Sequence, residues 1–185
     1  MRLHWRTWRR LAGAAVCAVL ALCLWVFWWE PASLAVHEES ITLRWAPQAP
    51  LRIAILTDLH VGSPFNGIAK LREIVDRTNE ARPDLICILG DLVIQGVGGG
   101  RFVPPEEIAA ELKLLRASAG VVAVLGNHDA WLDHDRVENA LEQNGIRVLE
   151  ETAAQFATRA GPVWVAGISD LWTGAHEYPD RAGPP

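Results

Sequence analysis

The sequence predicts an α/β fold preceded by one membrane-spanning helix. Three observations carry this. A nineteen-residue stretch without a charge lies near the N-terminus, apolar runs of strand length alternate with segments of helical periodicity, and polar residues cluster directly after three of the apolar runs. Strands alternating with helices imply β-α-β units in a largely parallel sheet, and ligands of such sheets gather beyond the carboxyl ends of the strands.

The uncharged stretch is Leu11 to Trp29. At the rise of an α-helix it reaches about 28 Å, close to the thickness of a bilayer's hydrocarbon core. Arg2, Arg6, Arg9 and Arg10 precede it, and Glu30, Glu38 and Glu39 follow. Basic residues stay on the cytoplasmic side, so the expected orientation is N-terminus inside and remainder on the outer, periplasmic or extracellular face. Trp25, Trp28 and Trp29 stand at the exit end, where indoles suit the headgroup level. The rival reading is a cleaved signal peptide, for which Ser33-Leu34-Ala35 offers small residues. The length of the apolar stretch and its bulky end favour an uncleaved anchor in the cytoplasmic membrane. The expected organisation is a basic cytoplasmic segment (1–10), a transmembrane helix (11–29), a linker with a first strand at 41–45 (30–50), and an α/β part (51–185).

Past the linker, 51–56 is a short buried-strand run and 68–81 repeats apolar residues at helical spacing. A second strand is expected at 84–89. A helix opens at Pro104-Pro105-Glu106-Glu107 and runs to 118. A third strand follows at 120–125, then a helix at 136–143 ended by Asn144-Gly145, a strand at 146–149 and another at 163–168. The net charge of −5 and the absence of a basic stripe beyond the first ten residues argue against a nucleic-acid partner. The three cysteines have no metal or redox spacing and read as apolar packing residues.

Each of the three apolar runs ends in a polar motif: Thr57-Asp58-Leu59-His60, Gly90-Asp91-Leu92-Val93 and Gly126-Asn127-His128-Asp129. Singly, each is an ordinary turn sequence. Together, in order and each closing a strand, they would meet in one mouth as a mixed oxygen and nitrogen set suited to divalent transition metals. Asp129 reads as a supporting or capping residue rather than a ligand. His134 reads as a solvated residue ahead of a helix, and His176 as part of a polar terminal stretch.

These motifs, with Leu56-Thr57-Asp58-Leu59-His60, Ile88-Leu89-Gly90-Asp91-Leu92-Val93 and Gly167-Ile168-Ser169-Asp170-Leu171-Trp172, resemble the calcineurin-like metallophosphoesterase superfamily, particularly its membrane-anchored bacterial branch. The resemblance covers about 51–172. It implies an α/β/β/α sandwich and two divalent ions (Mn, Fe or Zn). Asp58 and His60 would bind the first, Asp91 would bridge both and Asn127 would bind the second. It further implies hydrolysis of a phosphomonoester or diester by metal-activated hydroxide, with His128 as the catalytic residue beside the leaving group and Asp58 a candidate to orient it. A membrane anchor makes a lipid-linked phosphate one substrate within reach. The family pattern continues with a later histidine and a Gly-His-x-His element, which are not present by Pro185. The resemblance therefore implies a C-terminally truncated, incomplete sandwich with an unpaired sheet edge, an exposed apolar face and a partial second metal site. The alternative function is a non-catalytic, membrane-tethered metal- or phosphate-binding remnant.

Overall fold

The first four strand-length runs past the linker form one sheet, and the run at 163–168 falls in a separate hairpin. A computed structural model describes residues 2–42 and 49–172, which fall in two units, Met1–His37 and Glu38–Pro185. The first unit is a single helical rod: α1 (Arg2–Leu24), a π-helical turn (Trp25–Trp29) and a short α2 (Glu30–Ala32). Helix therefore runs through the basic segment as well as the apolar one. From Trp5 to Ala32 it is long and apolar enough to cross a membrane. The rings of Trp25 and Trp29 stack at 6.3 Å near its end.

The second unit is built on a four-stranded parallel sheet in the order β1 (Ile53–Leu56), β2 (Leu85–Leu89), β3 (Gly120–Val124) and β4 (Arg147–Val148). The crossovers are α3 (Ile68–Glu80), α4 (Pro105–Leu112) and α5 (Asn127–Gln143). Sequential strand order with right-handed crossovers places all three helices on one face. Their apolar stripes, including Leu71, Val75, Ile108, Leu112, Val137 and Leu141, bury against Ile86, Ile88, Ala123 and Val148. Each fully buried branched side chain contributes about 1.5–3 kcal/mol of burial energy.

The opposite face is covered in part by an antiparallel hairpin, β5 (Thr152–Thr158) and β6 (Gly161–Gly167). Ala154, Phe156 and Val165 of the hairpin pack on Cys87, Val122 and Leu149. Arg159, at the hairpin tip, pairs at 3.0 Å with buried Asp84, whose carboxylate also accepts from the Arg52 amide at 2.8 Å. Beyond the hairpin's reach Ile53 and Ile55 are 45% and 63% exposed. They lie on β1, one of the two edge strands of this sheet among the described residues.

Four expectations need correction. α5 is two helical segments that meet at Asp133, whose backbone is extended (φ −179°, ψ 97°): the second is the helix expected at 136, and the first, opening at Asn127, was not expected. His134 therefore lies in the first turn past that break, with its side chain 40% exposed, rather than ahead of the helix. The helix opening at Pro105 ends at Leu112 instead of 118, with Leu114 turned outward. Ile41 and Thr42 are not in a strand, and the rest of the strand expected at 41–45 lies outside the described residues, as does His176.

Candidate metal centre at the strand ends

Parallel strands leave their last carbonyls and amides to be satisfied by whatever follows them. Here the loops after β1 and β2 continue to pair. The amides of Asp58, His60 and Val61 donate to the carbonyls of Gly90, Asp91 and Leu92 at 3.2, 2.8 and 2.8 Å. Asp58, His60 and Asp91 all adopt left-handed backbone (φ 51°, 37° and 55°). This region is costly for residues with a Cβ, and such strain collects where the surroundings hold side chains for use.

Two glycines let the β2 and β3 ends meet. A Cβ on Gly90 would lie 2.3 Å from the Gly126 nitrogen, and one on Gly126 would lie 2.1 Å from Asp91 Oδ1. With both as glycine, the Asp91 carboxylate lies against the first turn of α5 and its Oδ1 accepts from the His128 amide at 3.0 Å. Asp129 locks the same turn from beneath. Fully buried, it accepts from the Leu92 and Val93 amides through Oδ1 (2.9 and 3.2 Å) and from the Gly126 amide through Oδ2 (3.0 Å). Burial pushes its carboxyl up, opposed by the three amides and assisted by the charge of Asp91. Asp129 is thus a structural brace, as expected.

His60 Nε2 stands 3.8 Å from Asp58 Oδ1 and 3.6 Å from Asp91 Oδ2. Its Nδ1 lies 3.3 Å from the Val93 carbonyl oxygen, which can only accept. With the ring hydrogen assigned there, Nε2 presents a lone pair toward two carboxylates. A cation resolves that convergence of acceptors. Bonds of about 2.0–2.2 Å would set two ligands of one ion about 3–3.5 Å apart, slightly tighter than the spacings seen. The ligand-capable atoms of His60, Asp91 and His128 all lie within 4.8 Å of one another. Asp58 is exposed, with Oδ2 accepting from Thr57 Oγ1 at 2.6 Å. Asn127, half-buried, opens α5 next to His128. The residue types and their convergence fit a divalent ion.

The His128 ring meets His60 edge-on at 4.8 Å and Trp131 at 5.2 Å. Among the described residues its hydrogen-bond partner at Nδ1 is not Asp58 but Gln95, whose Oε1 lies 3.0 Å away. Three contributors escaped the sequence reading. Gln95 carries no motif. Trp131, one helical turn after His128 and 62% exposed, would have been found had the helix been started at Asn127. Glu150 accepts from the Leu125 amide at 3.2 Å and contacts His134 Nε2 at 2.6 Å. That contact raises the His134 pKa, against its partial burial, with further help from Asp135 and Glu138. His134, Asp135 and Glu138 also lie within ligand distance of one another. The His134 ring is already engaged by Glu150.

The sequence profile described as calcineurin-like phosphoesterase matches residues 51–172. A zebrafish (Danio rerio) protein named as a transmembrane protein with metallophosphoesterase domain is 33% identical over 133 residues, 70% of this chain and 29% of its own length. An uncharacterized metallophosphoesterase of Bacillus subtilis is 33% identical over 127 residues, 66% of this chain and 44% of its own. The chain thus spans less than half the length of these curated relatives. No solved structure matches it.

Proposed function

The chain belongs to the calcineurin-like phosphoesterase family, and on that premise we propose that the strand-end cluster is the metal-dependent centre of a phosphoester hydrolase. The observation that carries the proposal is the facing of His60 Nε2 toward Asp58 and Asp91 at 3.8 and 3.6 Å, an array of acceptors that calls for a cation. Asp58, His60, Asp91 and Asn127 would hold the metal. Divalent ions bound there would supply Lewis-acid activation of water and neutralise phosphoryl charge. The chain's own residues do the rest. Asp129 fixes the turn that sets Asp91 against His128. The Val93 carbonyl holds the His60 tautomer. His128, with Nδ1 occupied by Gln95, keeps its other ring nitrogen, Nε2, to give a proton to a leaving oxygen.

The exposed Trp131 ring beside His128 offers an apolar wall to the leaving group, which suits a phosphoester carrying an aryl or lipid-like portion. The N-terminal helix supports a single-pass anchor in the cytoplasmic membrane. Arginines before the apolar stretch support an inside N-terminus and an outer catalytic unit.

The test is hydrolysis of bis(p-nitrophenyl) phosphate by the full chain in detergent micelles with added Mn²⁺. Turnover that needs metal and vanishes in Asp91→Ala supports the enzyme. Metal binding without turnover by the folded protein supports a binding-only domain instead.

A further inference from the structure

Gln95, in the loop after β2, meets His128 twice through one side-chain amide. Its Nε2 donates to the His128 carbonyl oxygen, and its Oε1 lies 3.0 Å from His128 Nδ1. The orientation of the amide follows from its partners. A carbonyl oxygen only accepts, so the amide nitrogen faces it, and the amide oxygen is left against the ring. That oxygen also only accepts, so Nδ1 carries a hydrogen.

We propose that Gln95 is a positioning residue for His128, holding the Nδ1–H tautomer and the ring plane so that Nε2 is presented to the centre. What the ring then does rests on the phosphoesterase reading; the tautomer does not. The surroundings support a tight fit. Gln95 is half-buried, and the loop that carries it is anchored to α5 by the Asp129 bonds to Leu92 and Val93 and by the His128 amide on Asp91. His60 and Trp131 flank the ring. One neutral side chain therefore ties ring and main chain together: the bond to the His128 carbonyl holds the amide in place, and a rotation of the ring would break the Nδ1 contact.

The experiment uses the full chain in micelles, labelled with ¹⁵N-histidine, and reads imidazole tautomers from two-bond ¹H–¹⁵N correlations at a pH where His128 is neutral. The His128 signals are those lost in His128→Asn. Wild type should show a pyrrole-type Nδ1 and a pyridine-type Nε2. Gln95→Met, close in size but unable to accept, should release the ring into a tautomer mixture. Gln95→Glu, which still accepts from Nδ1, should keep the wild-type pattern. If Gln95→Met does not fold, Gln95→Asn, too short to reach the ring, is judged by the same criterion. On phenyl phosphate esters Gln95→Met should lose about tenfold in kcat, a fraction of a general acid's usual contribution. KM should change little, p-nitrophenyl esters should be affected less, and Gln95→Glu should recover most of the rate. An unchanged His128 pattern in Gln95→Met, or an equal change in Gln95→Glu, overturns the assignment. The expected tautomer response with no hydrolysis from any form, wild type included, would leave Gln95 in its role and remove the phosphoesterase reading.

Discussion

Replacing Asp129 tests how the centre is braced. The side chain is fully buried and satisfies three main-chain amides, those of Leu92, Val93 and Gly126. Alanine leaves all three without an acceptor where water does not reach, since Leu92 and Val93 are themselves 1% and 0% exposed. An unsatisfied buried amide costs about 1–3 kcal/mol. Three that share one carboxylate should cost less than three times that, about 3–6 kcal/mol, partly offset because a buried charge is also removed. Asparagine is the informative comparison. Its oxygen can keep Leu92 and Val93 while its NH₂ faces the Gly126 amide, donor against donor, so about 1–3 kcal/mol is lost. Urea unfolding of the full chain in micelles, followed by tryptophan fluorescence, gives both values if the m-value is unchanged. The reasoning fails if alanine lies within about 1 kcal/mol of wild type, or if asparagine costs as much as alanine.

Two further perturbations follow from the same contacts. Gly126→Ala would drive a methyl group into Asp91 Oδ1 and the Asp91 nitrogen, 2.1 and 2.5 Å away. The β2 and β3 ends must then part, at a cost of about 1–3 kcal/mol and with weakened Mn²⁺ binding by calorimetry; wild-type affinity would contradict this. The second is a pH effect. The His134 pKa is raised above its usual 6.5, chiefly by Glu150, with Asp135 and Glu138 also facing the ring. A raised folded-state pKa contributes stability fully present below the unfolded value and lost as pH rises through the folded one. Stability should therefore decline above about pH 6.5. Glu150→Gln, which can still accept from Leu125, should flatten that decline; parallel pH profiles for the two proteins would refute it.

The parts of the fold legible in the sequence were those where periodicity and chemistry agree. The runs at 51–56, 84–89 and 120–125 are β1, β2 and β3 within two residues at either end, and the polar motifs after them do share one mouth. The start of α5 was hidden because Asn127, His128 and Asp129 look like a turn. The helix opens there because Asp129 accepts from the Gly126 amide at its own N-terminus, while buried apolar residues begin only at Val137. The strand β5 was hidden for the opposite reason. Its alanines have little strand preference, and the segment becomes a strand by pairing with β6 and laying Ala154 and Phe156 on the sheet. The metal-capable residue types were readable from the motifs. The partner of His128 was not, because a lone glutamine in a loop gains meaning only from the two atoms it reaches.

The most direct test of the account is equilibrium dialysis of the full chain against Mn²⁺ or Zn²⁺, beside a His60→Ala/Asp91→Ala double variant whose fold is verified by circular dichroism. The account predicts at least one tightly held ion per wild-type chain and its loss in the variant. Equal binding by the two proteins, or no ion in either, would contradict the assignment of the strand-end cluster as a metal centre.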